Sequence, residues 1–268
     1  MKVSIITIAY NSETSIERTI KSVLNQTYED IEYVVVDGAS KDGTLDIIKK
    51  YEPLFKGRMK WESEPDRGIY DAMNKGVKRS TGELIGIVNS DDWLEPDAVE
   101  QIVRLALSTE HIEESIYGGS IRFHYDNSDI QIYETNEKRF NEGMKKRSFN
   151  HGAYHPAMFV GNKVYERIGL FDTHFKICAD LDFVSRCYHS GVRFYLTKAI
   201  ISNMSDGGES NSLNLKKIIA DKKYEFQKRG LSKTKSNWYL ITLCTKRIIK
   251  WIFPHFLTKA IRKVKYNG

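Results

Sequence analysis

Short apolar segments alternate with amphipathic ones through the first 110 residues, and this alternation constrains the fold more than any other feature of the chain. Residues 3–8, 31–36 and 84–88 are largely apolar and typical of buried strands, and residues 59–63 predict a shorter strand. Between them, apolar residues recur three and four positions apart, which is the spacing of one helix face. Strands alternating with helices predict an α/β fold with a parallel sheet and right-handed crossovers.

Polar side chains follow each of these four predicted strands. They are Tyr10 with Asn11, then Asp37, Asp66 and the adjacent pair of Asp91 and Asp92. In open α/β sheets, ligands bind at the carboxyl ends of the strands. Two adjacent carboxylates need a counter-charge, which a divalent cation holding a phosphate supplies. Alone, the acidic pair is equally well read as a turn before the next helix, but four clusters at one edge favour a ligand site.

The second half of the chain predicts a more varied arrangement. A hairpin, a strand, a helix beginning at Asp180, a second strand and a final helix are expected, in that order, at residues 115–135, 155–160, 180–188, 192–201 and 215–226. Residues 137–150 are charged and are predicted to form a mobile surface loop. Residues 64–76 hold too many Asp, Asn and Gly residues to predict a pure helix. Asn11 or Ser12 is predicted to cap the first helix.

The net charge of +6 conceals a strong asymmetry. Eleven Lys and Arg residues and no acid lie from Phe226 onward, so the preceding 225 residues carry a net charge of −5. Residues 236–265 mix aromatic with basic side chains, which suits an interfacial helix on an anionic membrane. A helix packed on the protein body is the alternative, and no nucleic-acid-binding fold is recognised. Three cysteines without a Cys-x-x-Cys pattern favour a reducing compartment.

Three motifs resemble family-2 glycosyltransferases. They are the apolar strand with its polar end at 5–11, the Asp-Gly-Ala-Ser-Lys-Asp-Gly-Thr run within 35–44, and Asn-Ser-Asp-Asp at 89–92. The block at 63–76 is similar to one found in bacterial surface-polysaccharide transferases. The resemblance implies a GT-A fold, a Rossmann-like mixed sheet flanked by helices.

The resemblance covers roughly residues 1–205 and does not extend to the basic tail, and we expect the chain to divide as follows. Residues 1–230 would form the glycosyltransferase domain, with a nucleotide-sugar-binding half at 1–110 and an acceptor-binding half at 111–230. Residues 231–268 would form a basic amphipathic tail outside that domain.

The resemblance also implies roles for individual residues. Asp92 would hold Mn²⁺ or Mg²⁺ on the donor diphosphate, and Asp180 would be the catalytic base, with Ala179 in place of the usual Glu. Asp182 is the second candidate for the base, and His155 is placed on the acceptor or metal side, although a structural histidine fits equally well. The residues implied to contact the nucleotide-sugar are Thr7, Ala9, Tyr10, Asn11, Asp37, Asp66, Asn74, Asn89 and Asp91.

The expected protein is an inverting, metal-dependent glycosyltransferase that moves one sugar from a nucleotide donor, most simply a UDP-sugar. Its acceptor would be a glycan or a polyprenyl-linked glycan of a bacterial surface polysaccharide. The apparent lack of a secretion signal predicts a cytoplasmic enzyme, peripheral on the inner face of the membrane. Two alternatives remain. A sugar nucleotidyltransferase would carry a Gly- and Arg-rich loop where residues 9–12 lie, and a non-catalytic nucleotide- or glycan-binding protein would not need Asp180.

Overall fold

The computed structural model describes residues 1–146, 152–206, 215–228 and 230. Nine strands of these residues form one mixed sheet in the order β3-β2-β1-β4-β8-β6-β9-β5, with β7 paired to β6. The strands are β1 (Val3–Ala9), β2 (Ile31–Asp37), β3 (Met59–Ser63), β4 (Leu84–Ile87), β5 (Trp93–Leu94), β6 (Ser115–His124), β7 (Ile130–Tyr133), β8 (Met158–Gly161) and β9 (Arg193–Ser205).

Eight α-helices are present in the same residues. They are α1 (Ile16–Leu24), α2 (Thr44–Tyr51), α3 (Ile69–Arg79), α4 (Ala98–Leu107), α5 (Glu137–Lys146), α6 (Asn162–Ile168), α7 (Ala179–His189) and α8 (Leu215–Lys228). Helices lie on both faces of the sheet. On β1, Ile5 belongs to the core that also contains Ile20 of α1 and Ile102 of α4, whereas the next residue, Ile6, contacts α3.

The predicted parallel sheet is confirmed for the first four strands. β1 pairs in parallel with both β2 and β4, and β2 pairs in parallel with β3. The register places Ala9 beside Asp37, and Asp37 beside Ser63. The predicted hairpin is confirmed by the antiparallel pairing of β6 with β7. All four parallel strands therefore end at the same edge of the sheet.

The prediction that residues 64–76 do not form a pure helix is wrong for their second half, which lies in α3. Two tertiary contacts account for the difference. Gly76 faces β1 so closely that a Cβ at this position would overlap Cγ2 of Ile6. Asn74 is buried and exchanges two hydrogen bonds with the backbone of Phe171, at 2.9 and 3.0 Å. The residues that weaken a helix in isolation are the ones that let this helix dock.

The loop predicted at 137–150 is also replaced by a helix where the chain is described. α5 buries Phe140 and Met144, which lie four residues apart on one face. The side chain of Asn136 accepts a hydrogen bond from the N–H of Arg139 at 2.8 Å, as a capping residue does. Two apolar residues in a charged segment are sufficient to anchor this helix to the core.

Neither Asn11 nor Ser12 caps the first helix, in contrast to the prediction. α1 begins at Ile16, with Ser15 at the N-cap position. Asn11 adopts a left-handed backbone conformation with φ of 49°, and its side chain accepts the N–H of Lys41 at 2.9 Å. The strand predicted at 155–160 begins only at Met158, after a short 3₁₀ turn that contains Pro156, which lacks an N–H for pairing.

The chain divides into two compact units. The first comprises residues 1–173 and 178–212, and it contains the whole sheet. The second comprises residues 174–177 and 213–268. Within the described part of the second unit, the buried carboxylate of Asp221 on α8 accepts the N–H groups of Lys176 and Ile177, both at 2.7 Å.

None of the helices in the described ranges is both long and apolar enough to cross a bilayer. The basic tail at 231–268, with its proposed membrane-binding segment, lies outside the residues that the structure describes. Cys178 and Cys187 are both buried.

A buried carboxylate stabilises the amino edge of the sheet, away from the ends where the polar loops lie. Glu32 on β2 is 3% exposed and accepts hydrogen bonds from Ser4 Oγ at 2.6 Å, Lys60 Nζ at 2.7 Å and Thr81 N–H at 2.8 Å. Burial acts to raise the pKa of Glu32, but these hydrogen bonds outweigh it and lower the pKa to about 2. The ionised form is thus strongly favoured in the folded protein.

We expect Glu32→Gln to reduce the free energy of unfolding by about 2 kcal/mol at neutral pH, because a neutral amide weakens the charge-assisted hydrogen bonds that the carboxylate accepts from Ser4, Lys60 and Thr81. The stabilisation by Glu32 is complete above its ordinary pKa of 4.5 and is lost as pH falls through about 2. The melting temperatures of the wild type and of Glu32→Gln, measured between pH 2 and 7, should therefore differ at neutral pH and converge at low pH. Glu29→Gln at an exposed position is the control. A difference that stays constant with pH would contradict this assignment.

Candidate active site

The loops after β1, β2 and β4 are joined to one another at the carboxyl edge. Ser12 Oγ lies 2.8 Å from Ser90 Oγ, and the N–H of Ser12 donates to Thr44 Oγ1 at 2.7 Å. The N–H of Asn11 donates to Ser40 Oγ at 2.8 Å. The structure thus brings the predicted clusters together, and Asn11 is used to connect two of the loops.

An exposed aromatic ring and a carboxylate lie together above the end of β2. Tyr10 is 63% exposed, which is unusual for a large apolar side chain of this protein. A Cβ on Gly38 would lie 2.5 Å from Asp66 Oδ2 and 3.3 Å from Tyr10 Cδ2, so glycine leaves the room that both side chains use. Asp66 also accepts the N–H of Gly68 at 2.8 Å. An exposed ring beside a hydrogen-bonding carboxylate suits the binding of a planar base.

Two residues predicted to contact the nucleotide are enclosed in the protein instead. Thr7 is fully buried, and its Oγ1 accepts a hydrogen bond from the Tyr33 hydroxyl at 3.0 Å. Asp37 has no exposed surface and accepts hydrogen bonds from Ser40 N–H at 2.9 Å, from Ser63 Oγ at 2.6 Å and from Ser40 Oγ. Asp37 therefore fixes the loop that follows β2, and the side chains of Asp37 and Thr7 are both hydrogen-bonded within the protein. Ala9, next to Asp37, is 5% exposed and offers little surface.

The acidic pair lies directly after β4, with one acid buried and the other partly exposed. Asp92 is 2% exposed, and Asn89 Nδ2 donates to its Oδ2 at 3.3 Å. Burial, with a smaller contribution from the charge of Asp91, raises the pKa of Asp92 to about 8. Burial also raises the pKa of Asp91. Both shifts show that the pair lacks sufficient positive charge around it.

Arg18 is the positive group nearest to this pair, and the sequence reasoning missed it. Its guanidinium lies 3.7 Å from the centre of the Trp93 ring and donates to the backbone oxygen of Asp91 at 2.8 Å. Burial lowers the pKa of Arg18, whereas the charges of Asp92 and Asp91 act to raise it. A basic residue in the first turn of a helix opposes the helix dipole, and this mismatch is the signal that could have identified Arg18.

The residues around the acidic pair fit a divalent cation. Asn89 Oδ1 is buried without a hydrogen-bond partner in the described chain, and the Nδ2 of the same amide donates to Asp92. These are hard oxygen donors of the kind that Mg²⁺ and Mn²⁺ prefer. No group of three or more His, Cys, Asp or Glu side chains suited to a metal occurs among the described residues. Substrate phosphate oxygens and water would therefore complete the coordination shell of such a cation.

Asp180 lies in the first turn of α7 and faces α3. The hydroxyl of Tyr70, a buried residue of α3, donates to Asp180 Oδ1 at 3.4 Å. Long hydrogen bonds of this kind are common in catalytic groups before substrate binds. The second candidate base, Asp182, is instead paired with Arg186 at 2.8 Å on its own helix. Arg186 is itself held by the backbone oxygens of Ile168 and Leu170, so Asp182 has a structural role.

Asn74, which was predicted to contact the donor, supports the environment of Asp180 in this structure. Its amide holds the backbone of Phe171. The Phe171 ring stacks against Tyr70 with 6.0 Å between centroids and meets the His155 ring edge-on at 5.8 Å. Tyr70 and Phe171 were not singled out from the sequence, because the contacts that give them a role join residues about 100 positions apart.

Comparison with known proteins identifies the family. The sequence profile of "Glycosyl transferase family 2" matches residues 4–169. A "PGL/p-HBAD biosynthesis glycosyltransferase" of Mycobacterium bovis (strain BCG / Pasteur 1173P2) is 30% identical over 265 residues, covering 96% of this chain and 93% of its own length.

Solved structures share the fold at lower identity. The S. aureus TarS 1-349 complex with UDP-GlcNAc superposes with a TM-score of 0.64 at 19% identity, covering 84% of this chain and 67% of that one. The mannosyltransferase PcManGT from Pyrobaculum calidifontis, in complex with GDP-Man and Mn²⁺, gives a TM-score of 0.61 at 18% identity, covering 84% of this chain and 64% of that one. These likenesses confirm the GT-A fold implied by the sequence motifs. The profile match and the full-length mycobacterial relative together establish that the chain is a glycosyltransferase and belongs to glycosyl transferase family 2.

Proposed function

We propose that this glycosyltransferase transfers a single sugar from a nucleotide-sugar, most simply a UDP-sugar, with inversion and with the help of a divalent cation. The observation that carries the proposal is the presence of two separate acidic sites, one after β4 and one on α7. One group, Asp91 and Asp92, lies at the end of β4 with the unpartnered Asn89 oxygen. The other is the single carboxylate of Asp180, held by Tyr70. Two structural neighbours, TarS in complex with UDP-GlcNAc and PcManGT in complex with GDP-Man and Mn²⁺, support this assignment.

These residues would perform one displacement. An acceptor hydroxyl oxygen attacks the anomeric carbon while its proton passes to Asp180, and the bond from that carbon to the diphosphate oxygen breaks with its electron pair. When bound by Asp91, Asp92 and Asn89, a divalent cation would supply charge neutralisation for the departing diphosphate. Asp182 is committed to Arg186, so one carboxylate serves the reaction and the anomeric centre inverts.

A donor panel tests the proposal. The full-length protein is incubated with UDP-, GDP- and dTDP-sugars, with and without Mn²⁺ or Mg²⁺, and release of the nucleoside diphosphate is measured. We expect release from a UDP-sugar that stops when EDTA is added. Release that is unaffected by EDTA would contradict the metal requirement, and no release from any donor would contradict the proposed activity.

We further propose that the acceptor is a glycan or polyprenyl-linked glycan of a bacterial surface polysaccharide, and that the tail holds this cytoplasmic enzyme at the inner face of the membrane. The mycobacterial relative, a PGL/p-HBAD biosynthesis glycosyltransferase, supports a biosynthetic role for this chain. Eleven Lys and Arg residues without an acid from Phe226 onward support the membrane association.

The membrane proposal is tested in the full-length chain by replacing Lys246, Arg247 and Lys250 with Gln. Each basic residue near an anionic surface contributes about 1 kcal/mol, so the triple variant should bind anionic vesicles on the order of a hundredfold more weakly. Vesicles of phosphatidylcholine alone provide the control, and sedimentation provides the measurement. Equal binding of both proteins to anionic vesicles would rule out this role for the tail.

A further inference from the structure

His155 lies at the same edge of the sheet as the candidate active site. It opens the short 3₁₀ turn that leads into β8. β8 runs antiparallel to β4, with Phe159 beside Gly86 and Gly161 beside Leu84. The start of β8 is therefore level with the end of β4, and His155 precedes that start by three residues. The fold itself places this side chain beyond the carboxyl end of β4, where the acidic pair also begins.

The His155 ring carries an unused hydrogen-bonding atom. Its Nε2 is shielded from solvent and has no hydrogen-bond partner in the described chain, although the residue as a whole is partly exposed. One side of the ring meets the Phe171 ring, which offers no hydrogen-bonding atom. A buried polar atom without a partner destabilises a fold and is therefore unusual in native structures. Such an atom is readily explained when a ligand completes its hydrogen bond.

The charge nearest to His155 is that of Asp180. Burial lowers the pKa of His155, and the Asp180 charge acts in the opposite direction. A neutral imidazole with Nε2 protonated can donate one hydrogen bond. Phe171 contacts both this ring and Tyr70, whose hydroxyl donates to Asp180. His155 and Asp180 are thus two polar groups in one aromatic environment, one a hydrogen-bond donor and the other a proton acceptor.

We propose that His155 Nε2–H donates a hydrogen bond to the sugar hydroxyl that Asp180 deprotonates. A hydroxyl oxygen has two lone pairs, so one accepts the bond from His155 while the other attacks the anomeric carbon. Its proton is then directed to Asp180. Water in the acceptor position is held in the same way, so donor hydrolysis also depends on His155. This inference rests on the proposed function. It assigns His155 to the acceptor side of the reaction, where the sequence had left a structural role equally open.

The test separates function from stability by removing the polar atom. His155→Phe keeps an aromatic ring against Phe171 and deletes the unpartnered nitrogen. We expect an unchanged or higher melting temperature, unchanged binding of UDP with Mn²⁺, and at least a tenfold loss of nucleotide release. His155→Asn, whose amide can still donate, should regain part of the lost rate. His124→Phe is the matched control, because His124 Nε2 has a partner in Asn203 at 2.8 Å and its removal should lower the melting temperature.

Each other outcome counts against the inference. Nucleotide release by His155→Phe at the wild-type rate would overturn it and leave the proposed function intact. A parallel loss of melting temperature, UDP binding and turnover would also overturn it, by showing that the histidine is structural. If His155→Phe does not fold, His155→Asn decides, and a turnover no better than background would reject the hydrogen-bonding role. No release by the wild-type protein from any donor would overturn the proposed function and this inference with it.

Discussion

Asp180→Asn is expected to lower the rate of sugar transfer by a factor on the order of 10² to 10⁴, the range for loss of a general base. The amide retains the shape of the carboxylate and can still accept the Tyr70 hydrogen bond, but it cannot take the proton of the acceptor hydroxyl. Binding of UDP with Mn²⁺ should be unchanged, because the donor loops do not depend on α7. Nucleotide release and isothermal titration on the same preparation provide the two measurements.

The neighbouring acid provides the control for this experiment. Asp182→Asn breaks the ion pair with Arg186, so we expect a lower melting temperature and a turnover close to that of the wild type. The two variants thus have opposite signatures, although they lie two residues apart on one helix. A non-catalytic nucleotide-binding protein would give the same properties for Asp180→Asn as for the wild type. If Asp182→Asn alone loses turnover, the base has been assigned to the wrong carboxylate.

Asp92→Asn is expected to abolish the stabilisation of the protein by Mn²⁺ and to lower turnover at least a hundredfold, since it removes a charge that a cation would bind. Without a cation, the pKa of Asp92 is raised in the folded protein, so the contribution of Asp92 to the free energy of unfolding is complete below pH 3.8, the ordinary pKa of an Asp. That stability is lost as pH rises through about 8. A bound cation favours the ionised form, so the increase in melting temperature on adding Mn²⁺ should grow as pH approaches and passes 8.

Thermal unfolding with and without Mn²⁺, at pH 6 and pH 8.5, tests this prediction. Adding Mn²⁺ should raise the melting temperature of the wild type more at pH 8.5 than at pH 6. It should not raise the melting temperature of Asp92→Asn at either pH. Asp46→Asn on the exposed side of α2 is the control for a general loss of negative charge. An equal increase for Asp92→Asn and wild type would mean that the cation binds elsewhere or through Asp91 alone.

The parallel half of the sheet was predictable because β1, β2 and β4 consist mainly of Val, Ile and Leu, and all of their residues are buried. The helix α3 was not predictable from its own composition. It is held by Gly76 against Ile6 and by Asn74 against Phe171, and local propensity contains neither contact. The same limit explains α5, in which two buried side chains outweigh a charged segment.

In the candidate site, too, the position of a residue could be predicted from the sequence, but its burial could not. Asp37 and Asp66 both follow strands, and the sequence makes them equivalent. The strand register places Asp37 between Ala9 and Ser63, where it is buried, whereas Asp66 lies further along its loop and remains partly exposed beside Tyr10. Convergence of the loops could be expected from topology alone. Which side chain faces the ligand depends on register and on hydrogen bonds that a single sequence does not encode locally.

The start of α3 determines where the chain can accept an inserted residue. Asp66 lies in the loop that leads into this helix, beside Tyr10, and Tyr70 in the first turn reaches Asp180. Three residues lie between Asp66 and Tyr70, and α3 begins at Ile69. Asn74 and Gly76 hold the later turns of the helix, so a residue inserted between Tyr70 and Asn74 would rotate Tyr70 by about 100° around the helix axis, away from Asp180. The turn at 125–129 between β6 and β7, by contrast, joins two strands at the sheet margin. We expect insertions in that turn to preserve activity and insertions between 70 and 74 to eliminate it.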